Sequence, residues 1–189
     1  MPLHHEKPSK FPKAMALAQS LTNLIPTLHT KRLILRAPQI SDFSVYAKIA
    51  LSPKGHFILM EPNRENAWYD FVNMIACWLL RGHGLWSVER KQDNAVIGFV
   101  LISFEPGDHE PELGYMIIPQ AESCGYATEA AAEAKHYAFD ALGFTTLASA
   151  IDHDNTASFK VAQKLGGVRD RKAEKRHDDE ILILRYSYG

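Results

Sequence analysis

The sequence predicts a single mixed α/β domain whose sheet contains about seven mostly antiparallel strands, with helices on both faces. Three observations support this fold class. Apolar residues alternate as in strands, or recur at helical spacing, throughout residues 31–186. A strand at 112–118, an alanine-rich helix and a strand at 145–151 form a βαβ unit, which places one parallel pair in the sheet. Hairpin patterns at 85–104 and 168–186 supply antiparallel neighbours.

Length and composition limit the possible classes of protein. A chain of 189 residues with 46% hydrophobic and 23% charged residues has the make-up of one globular domain. The net charge of −1 gives no overall attraction to nucleic acid or to anionic lipid, so neither is expected as a partner. Two cysteines and no long apolar run favour a soluble protein of the cytoplasm. We expect residues 1–27 to be an N-terminal extension and residues 28–189 to be the domain.

The first half of the domain reads as a strand, two helices and a hairpin. Residues 31–36 alternate and then meet Pro38, and Ser41 with Asp42 offers a cap for a helix that follows. Residues 64–80 have the amphipathic spacing of a second helix, which Gly82 would end. Strands at 85–90 and 95–104 flank a turn at Gln92–Asn94, whose composition suits a hairpin.

The second half contains the βαβ unit and a closing hairpin. The strand at 112–118 ends at Pro119, and a helix is predicted over 129–142. In that helix small residues share one face, which brings it close to the sheet; they are Ala127, Ala131, Ala134, Ala138 and Ala141. A helix over 155–165 follows the next strand, and strands at 168–174 and 180–186 would close the sheet.

The loop between the first strand and the helix of the βαβ unit has the features of an anion site. A helix start presents unpaired N–H groups at the positive end of the helix dipole. Gly125 lets the main chain approach a ligand closely, so the N–H groups of residues 123–127 are suited to a pyrophosphate. The alternative is an ordinary helix start in which Ser123 is the cap and Gly125 a turn residue.

Three motifs resemble those of the GNAT acyltransferase superfamily, within which they are most similar to the N-terminal acetyltransferases of ribosomal proteins. The motifs are Glu112-Leu-Gly-Tyr-Met-Ile-Ile-Pro, Gln120-x-x-Ser-x-Gly-Tyr-Ala-Thr-Glu-Ala, and Asn155-x-x-Ser158 ahead of Lys164-Leu-Gly-Gly. The resemblance implies that the parallel strands splay at a central cleft, between Ile118 and Ile151, in which acetyl-CoA lies as co-substrate. Ser123 stands where the superfamily usually has its first loop glycine.

The resemblance also implies the binding and catalytic residues. The pyrophosphate would lie on the loop, and the pantetheine arm would run along the strand end and contact Asn155. The implied cofactor-binding residues are Met116, Ile117, Ile118, Gln120, Ser123, Cys124, Gly125, Tyr126, Ala127, Thr128, Asn155 and Ser158. Ser158 would protonate or hydrogen-bond the departing thiolate. Asn155 and Ser158 also fit an ordinary capped helix start.

Acetyl transfer to an amine needs a neutral nucleophile and a donor for the oxyanion. An N–H group near Met116 is the candidate donor. Glu112 matches the catalytic glutamate of histone-type members and is the candidate base; a strand carboxylate that faces solvent is the alternative. The family places its acceptor pocket in the region around the predicted helix at 64–80. Glu61, Arg64 and Trp86 are therefore candidate pocket residues.

The predicted function is therefore acetyl transfer from acetyl-CoA to a primary amine, either a protein N-terminus or a small molecule. A non-catalytic sensor of acyl-CoA is the alternative, and an enzyme that binds another nucleotide at the same loop is a third possibility. The histidines and cysteines lack the spacing of zinc ligands, so no metal site is predicted. The sequence is compatible with a monomer or a homodimer.

Overall fold

The computed structural model describes residues 2–177 and 180–188, and the strands in these residues form one eight-stranded sheet. In chain order they are β1 (Leu28–His29), β2 (Leu33–Arg36), β3 (Leu85–Arg90), β4 (Ala95–Ser103), β5 (Glu112–Ile117), β6 (Leu147–Asp152), β7 (Val168–Arg169) and β8 (Ile181–Tyr186). Their order across the sheet is β1-β2-β3-β4-β5-β6-β8-β7. All neighbours are antiparallel except β5 and β6, which confirms the mixed sheet with one parallel pair.

Helices cover both faces of the sheet. They are α1 (Pro12–Thr22), α2 (Phe43–Ala50), α3 (Arg64–Arg81), α4 (Tyr126–Asp140), α5 (Thr156–Lys164) and α6 (Arg171–Glu174). One core lies between the sheet and α2 with α3, and a second lies between the sheet and α4 with α5. Within the described residues, no helix has the length and apolar character that a membrane crossing requires.

Local sequence accounts for the bounds of the two long helices. In α3 the Asn63 side chain accepts the N–H of Asn66 at 2.8 Å, and Gly82 ends the helix with a φ of 74°. The helix α4 begins at Tyr126, three residues before the predicted start, because Gly125 is its N-cap. Its buried face includes Ala130 as well as three of the predicted alanines, whereas Ala141 is exposed. These small side chains let α4 approach β4 and β5 closely.

Two other predictions need correction. The sheet has one strand more than predicted, because Leu28 and His29 pair with β2 in a strand too short to show a period. The predicted strand over 168–174 stops at Arg169. Asp170 then accepts the N–H groups of Lys172 and Ala173, both at 3.0 Å, and so starts α6 in place of a longer strand.

Asp42 also differs from its predicted role. Its side chain makes no cap of α2 and instead receives the guanidinium of Arg36 at 2.7 Å and the hydroxyl of Ser87 at 2.7 Å. The carboxylate is 5% exposed, so it takes part in a buried polar cluster that joins β2, β3 and the start of α2.

The segment before β1 contacts the domain at several points. Glu6 forms a bidentate ion pair with Arg64 at 2.6 and 2.8 Å, and its carboxylate is almost fully buried. The Pro26 carbonyl accepts the indole N–H of Trp86 at 2.9 Å. Arg64 and Trp86, two candidate acceptor-pocket residues, are therefore engaged by this segment; Trp86 is completely buried in the core.

Candidate active site

The cleft forms where β5 and β6 separate. The two strands pair at one position, Glu112 opposite Ala148. Side chains replace the main-chain ladder there: Glu112 Oε1 accepts the N–H of Ala150 at 3.0 Å, and Ser149 Oγ donates to the carbonyl of Leu113 at 2.6 Å. These two bonds satisfy main-chain groups that a continuous ladder would use, so the strands diverge without leaving those groups unpaired.

Beyond this point, main-chain N–H groups of β5 face the gap. Ile118 donates to the Ile97 carbonyl across the antiparallel neighbour, so alternation directs the N–H of Met116 toward β4. The same alternation turns the N–H groups of Tyr115 and Ile117 toward the gap. The donors near Met116 that face the cleft are therefore those of its two neighbours.

A cavity of about 660 Å³ occupies the cleft and has two chemically distinct halves. The amide half is formed by the loop and helix start at 123–128 together with the α5 residues 155–164. The carboxylate half is formed by Tyr46, Asp70, Ser103, Glu105 and Glu112. Met116 and Ile117 lie along the cavity wall that the two halves share.

The structure brings most of the predicted site residues to this cavity. Those that line it are Glu112, Met116, Ile117, Ser123, Gly125, Tyr126, Ala127, Thr128, Asn155 and Ser158. Three others do not: Ile118 packs against the apolar cores, Gln120 is exposed in a 3-10 turn, and the Cys124 side chain is exposed. Glu61 is also absent from the cavity wall.

The amide half owes its donors to two residues with left-handed backbone. Ser123 has a φ of 60° and Gly125 a φ of 80°. Among the described residues, no acceptor is bonded to the N–H groups of residues 123–128. Serine keeps here the backbone conformation that glycine adopts most easily, at a cost of roughly 1–2 kcal/mol.

Arg32 holds the outer side of this loop. Its Nη1 donates to the Cys124 carbonyl at 3.0 Å, its Nε pairs with Glu129 at 2.6 Å, and its guanidinium lies 4.4 Å from the centre of the Tyr126 ring. Arg32 thus holds the Cys124 carbonyl on the side of the loop away from the cavity. The unbonded N–H groups of residues 123–128 are left for a ligand on the cavity side.

Asn155 and Ser158 are joined to β5 through one hydrogen-bond network. The Asn155 side-chain oxygen accepts the N–H of Ser158 at 3.1 Å, which confirms the helix cap. Ser158 Oγ donates to the Tyr115 hydroxyl at 3.1 Å, and that hydroxyl donates to the Ser158 carbonyl at 2.8 Å. Burial raises the pKa of Tyr115, so this residue remains a neutral phenol. Ser158 must rotate its hydroxyl away from Tyr115 before it donates elsewhere.

The surroundings of Glu112 shift its pKa strongly. Burial raises its pKa to about 8, and the charges of Asp108 and Glu105 act in the same direction, whereas the N–H of Ala150 opposes the shift. A carboxyl group with such a pKa exchanges protons near neutral pH. The burial of this carboxyl group and its bond to the N–H of Ala150 do not fit the solvent-facing alternative.

Several cavity residues were not predicted as site residues. Lys160 and Lys164 lie one helical turn apart on α5 and line the amide half, a spacing that the sequence already shows. The Tyr46 hydroxyl donates to Asp70 between α2 and α3. That contact joins residues 24 positions apart, and no local pattern indicates it.

Comparisons with known proteins identify the family and the fold. Residues 32–168 match the model of the acetyltransferase (GNAT) domain family. A solved acetyltransferase from Agrobacterium tumefaciens is 34% identical, with a TM-score of 0.81 over 87% of this chain and 95% of that protein. The uncharacterized N-acetyltransferase YoaA of Bacillus subtilis is 28% identical over 76% of this chain and 83% of its own length. A ribosomal-protein-S5-alanine acetyltransferase from Vibrio fischeri shares the fold, at 16% identity and a TM-score of 0.62, over 86% of this chain and 96% of that one.

Proposed function

Since the chain belongs to the GNAT acetyltransferase family and is an acetyl-CoA-dependent acyltransferase, we propose that it acetylates a primary amine, on a peptide N-terminus or a small molecule. The observation that carries this proposal is that the unpaired N–H groups of residues 123–128 open into the same cavity as Glu112 and Ser158. Donor binding, proton acceptance and leaving-group stabilisation thereby meet in one cleft.

The amide half has the donor set that a CoA pyrophosphate requires. The free N–H groups of the loop and the positive end of α4 would hold the diphosphate, and Lys160 with Lys164 would add attraction for its phosphates. The N–H groups of Tyr115 and Ile117 would bond the pantetheine arm or the carbonyl oxygen under attack. When bound, acetyl-CoA supplies an activated thioester carbonyl.

The residues beside the gap would handle the protons. Glu112 would accept the proton that the amine loses, directly or through water. An α-amine with a pKa of 7.7–8.0 is roughly a tenth neutral at pH 7, whereas a lysine amine is less than a thousandth neutral, so the base matters more for the second. Ser158, released from Tyr115, would donate to the departing sulfur.

Turnover assays test this function. Purified protein with acetyl-CoA is offered N-terminal peptides and small amines, and the acetylated product is quantified by mass spectrometry because exposed Cys124 would add background to a thiol-release assay. We expect product to form in step with CoA release. Binding of acetyl-CoA in calorimetry without product from any acceptor would instead indicate the sensor.

A further inference from the structure

The carboxylate half of the cavity has an unusual charge balance. Neither Asp70, Glu105 nor Glu112 forms a salt bridge with any residue that the structure describes. Lys54, another lysine of the cavity wall, is paired with Glu122 at 2.6 Å. Three carboxyl groups therefore face one cavity without an ion-pair partner among the described residues, and the lysines of the same wall, Lys160 and Lys164, lie in the amide half.

The position of these groups follows from the sheet register and from α3. Ser103 is the direct cross-strand partner of Glu112, so the two side chains lie on the same face of the sheet. That face is covered by α2 and α3, which bring the completely buried Tyr46 and its bond to Asp70. Glu105 follows two residues after β4 at the same end; the residue is exposed as a whole, while its carboxyl group, on the cavity wall, is partly desolvated.

Ser103 provides a second, independent sign of a ligand. It is only 2% exposed, and no described residue is hydrogen-bonded to its hydroxyl. Among the described residues no enclosed side-chain polar atom lacks a partner, so this unbonded hydroxyl is one that the cavity reaches. A donor that enters from the cavity would satisfy it.

The pKa values of all three carboxyl groups are raised. For Asp70, Glu105 and Glu112 burial is the largest cause, and for Glu105 and Glu112 neighbouring carboxylates add to it. The hydrogen bond from Tyr46 lowers the pKa of Asp70 only in part. A cation bound among them would favour their ionised forms and remove this repulsion.

We propose that the acceptor is a small aliphatic amine with a second positive charge, which Asp70, Glu105 and Ser103 bind while the reacting nitrogen lies beside Glu112. This inference rests on the proposed function and names its substrate class. The reacting nitrogen bonds to the acetyl carbon, the carbon–sulfur bond breaks, Glu112 takes the proton from nitrogen, and CoA leaves with the sulfur electrons. The second ammonium stays protonated. A peptide with an uncharged first side chain brings no such second charge, and leaves these carboxyl groups uncompensated.

Matched acceptor pairs test the proposal. Diamines with three to six carbons are compared with monoamines of the same length, and with peptides whose first residue is alanine or serine. We expect kcat/KM to be roughly tenfold or more higher for the best diamine than for its monoamine, because a bond to a charged group is worth about that much. Most of the difference should appear in KM.

Variants then locate the second charge. Glu105→Gln and Asp70→Asn should each raise the diamine KM by roughly tenfold and leave the monoamine KM nearly unchanged. The amide in Asp70→Asn still accepts from Tyr46, so the fold is retained, and melting temperature with acetyl-CoA affinity checks this. Glu65→Gln, on the surface of α3 and outside the cavity, is the matched control and should change neither value.

The outcomes separate the two proposals. Equal rates for diamines and monoamines, or a clear preference for neutral peptides, would overturn the dicationic acceptor and leave acetyl transfer standing. Diamine selectivity that survives both substitutions would overturn the assignment of Asp70 and Glu105. Absence of product from every acceptor would overturn the proposed function and this inference with it.

Discussion

The amide half and the carboxylate half of the cavity are built by different means. The amide half consists of main-chain N–H groups of residues 123–128 and side chains of residues 155–164, so its parts are close in sequence and set by local conformation. The carboxylate half gathers side chains from α2, α3, β4, the loop after β4, and β5. The amide half can be recognised as a motif in the sequence, whereas the carboxylate half forms only when the helices pack on the sheet. Donor binding is therefore a local property of this chain, and acceptor binding a tertiary one.

The largest effect is expected in the carboxylate half, at Glu112. Glu112→Gln should lower kcat by about 100-fold near neutral pH, since general bases contribute about 10²–10⁴-fold. A base acts when ionised, and the pKa of about 8 means that the native rate rises with pH up to about that value. In the variant this limb should move to higher pH, where the amine itself becomes neutral. Initial rates measured across this range at saturating acetyl-CoA give the profile.

The amide half should remain intact in that variant. Calorimetry with CoA should give the native affinity, because Glu112 lies outside the loop. An unshifted pH profile would mean that the amine arrives neutral or that another group is the base, and would weaken the division between the halves.

A smaller effect is expected when the loop is strained. In Gly125→Val a β-branched residue must adopt a φ of 80°, which costs roughly 1–2 kcal/mol, so the loop shifts and CoA affinity falls about tenfold. The added Cβ would meet only Arg32 Nη2, at 3.5 Å, so backbone strain and not crowding is the cause. Calorimetric titration with CoA measures the loss.

Gly143→Val is the matched control. Gly143 has a φ of 68°, meets nothing within 4 Å, and lies beyond the opposite end of α4. The Gly143→Val variant should lose about as much unfolding free energy as Gly125→Val, with no loss of CoA affinity. Equal losses of affinity in both variants would show that general destabilisation, and not the loop, weakens binding.

The smallest effect separates two roles of Asn155. Asn155→Ala removes the cap of α5, at about 1 kcal/mol of unfolding free energy, together with the amide N–H₂ that would contact pantetheine. Asn155→Asp keeps an oxygen for the N–H of Ser158 but removes that donor. We expect both to weaken CoA binding by several-fold, and only the alanine variant to lower the melting temperature. If the aspartate variant binds CoA normally, Asn155 is a structural cap alone.

The sequence predicts the fold and the amide half well for a physical reason. Alternation and helical spacing report which side of a single element is buried, and the βαβ order follows from the sequence of such elements. The structure has β5, α4 and β6 where these patterns predict them. The free N–H groups at 123–128 follow from the left-handed residues of one short loop. Lys160 and Lys164 could also have been identified from the sequence, because their spacing of four places them on one helical face.

The remaining features depend on contacts between distant residues. Trp86 was a reasonable candidate for a pocket, but its indole N–H bonds to Pro26 and its ring is buried. The bond from Tyr46 to Asp70 requires a particular crossing of α2 and α3, which no periodicity specifies. At Asp170 a local cap outweighed strand propensity, and the predicted strand ended early.

The strand β1 has a consequence for how the protein is handled. The family match begins at Arg32, so a fragment cut to that boundary would lack Leu28 and His29 and would leave β2 as a bare sheet edge. Exposed edges of this kind recruit other chains and promote aggregation. Expression of this enzyme should therefore retain the residues upstream of Arg32, Leu28 and His29 above all.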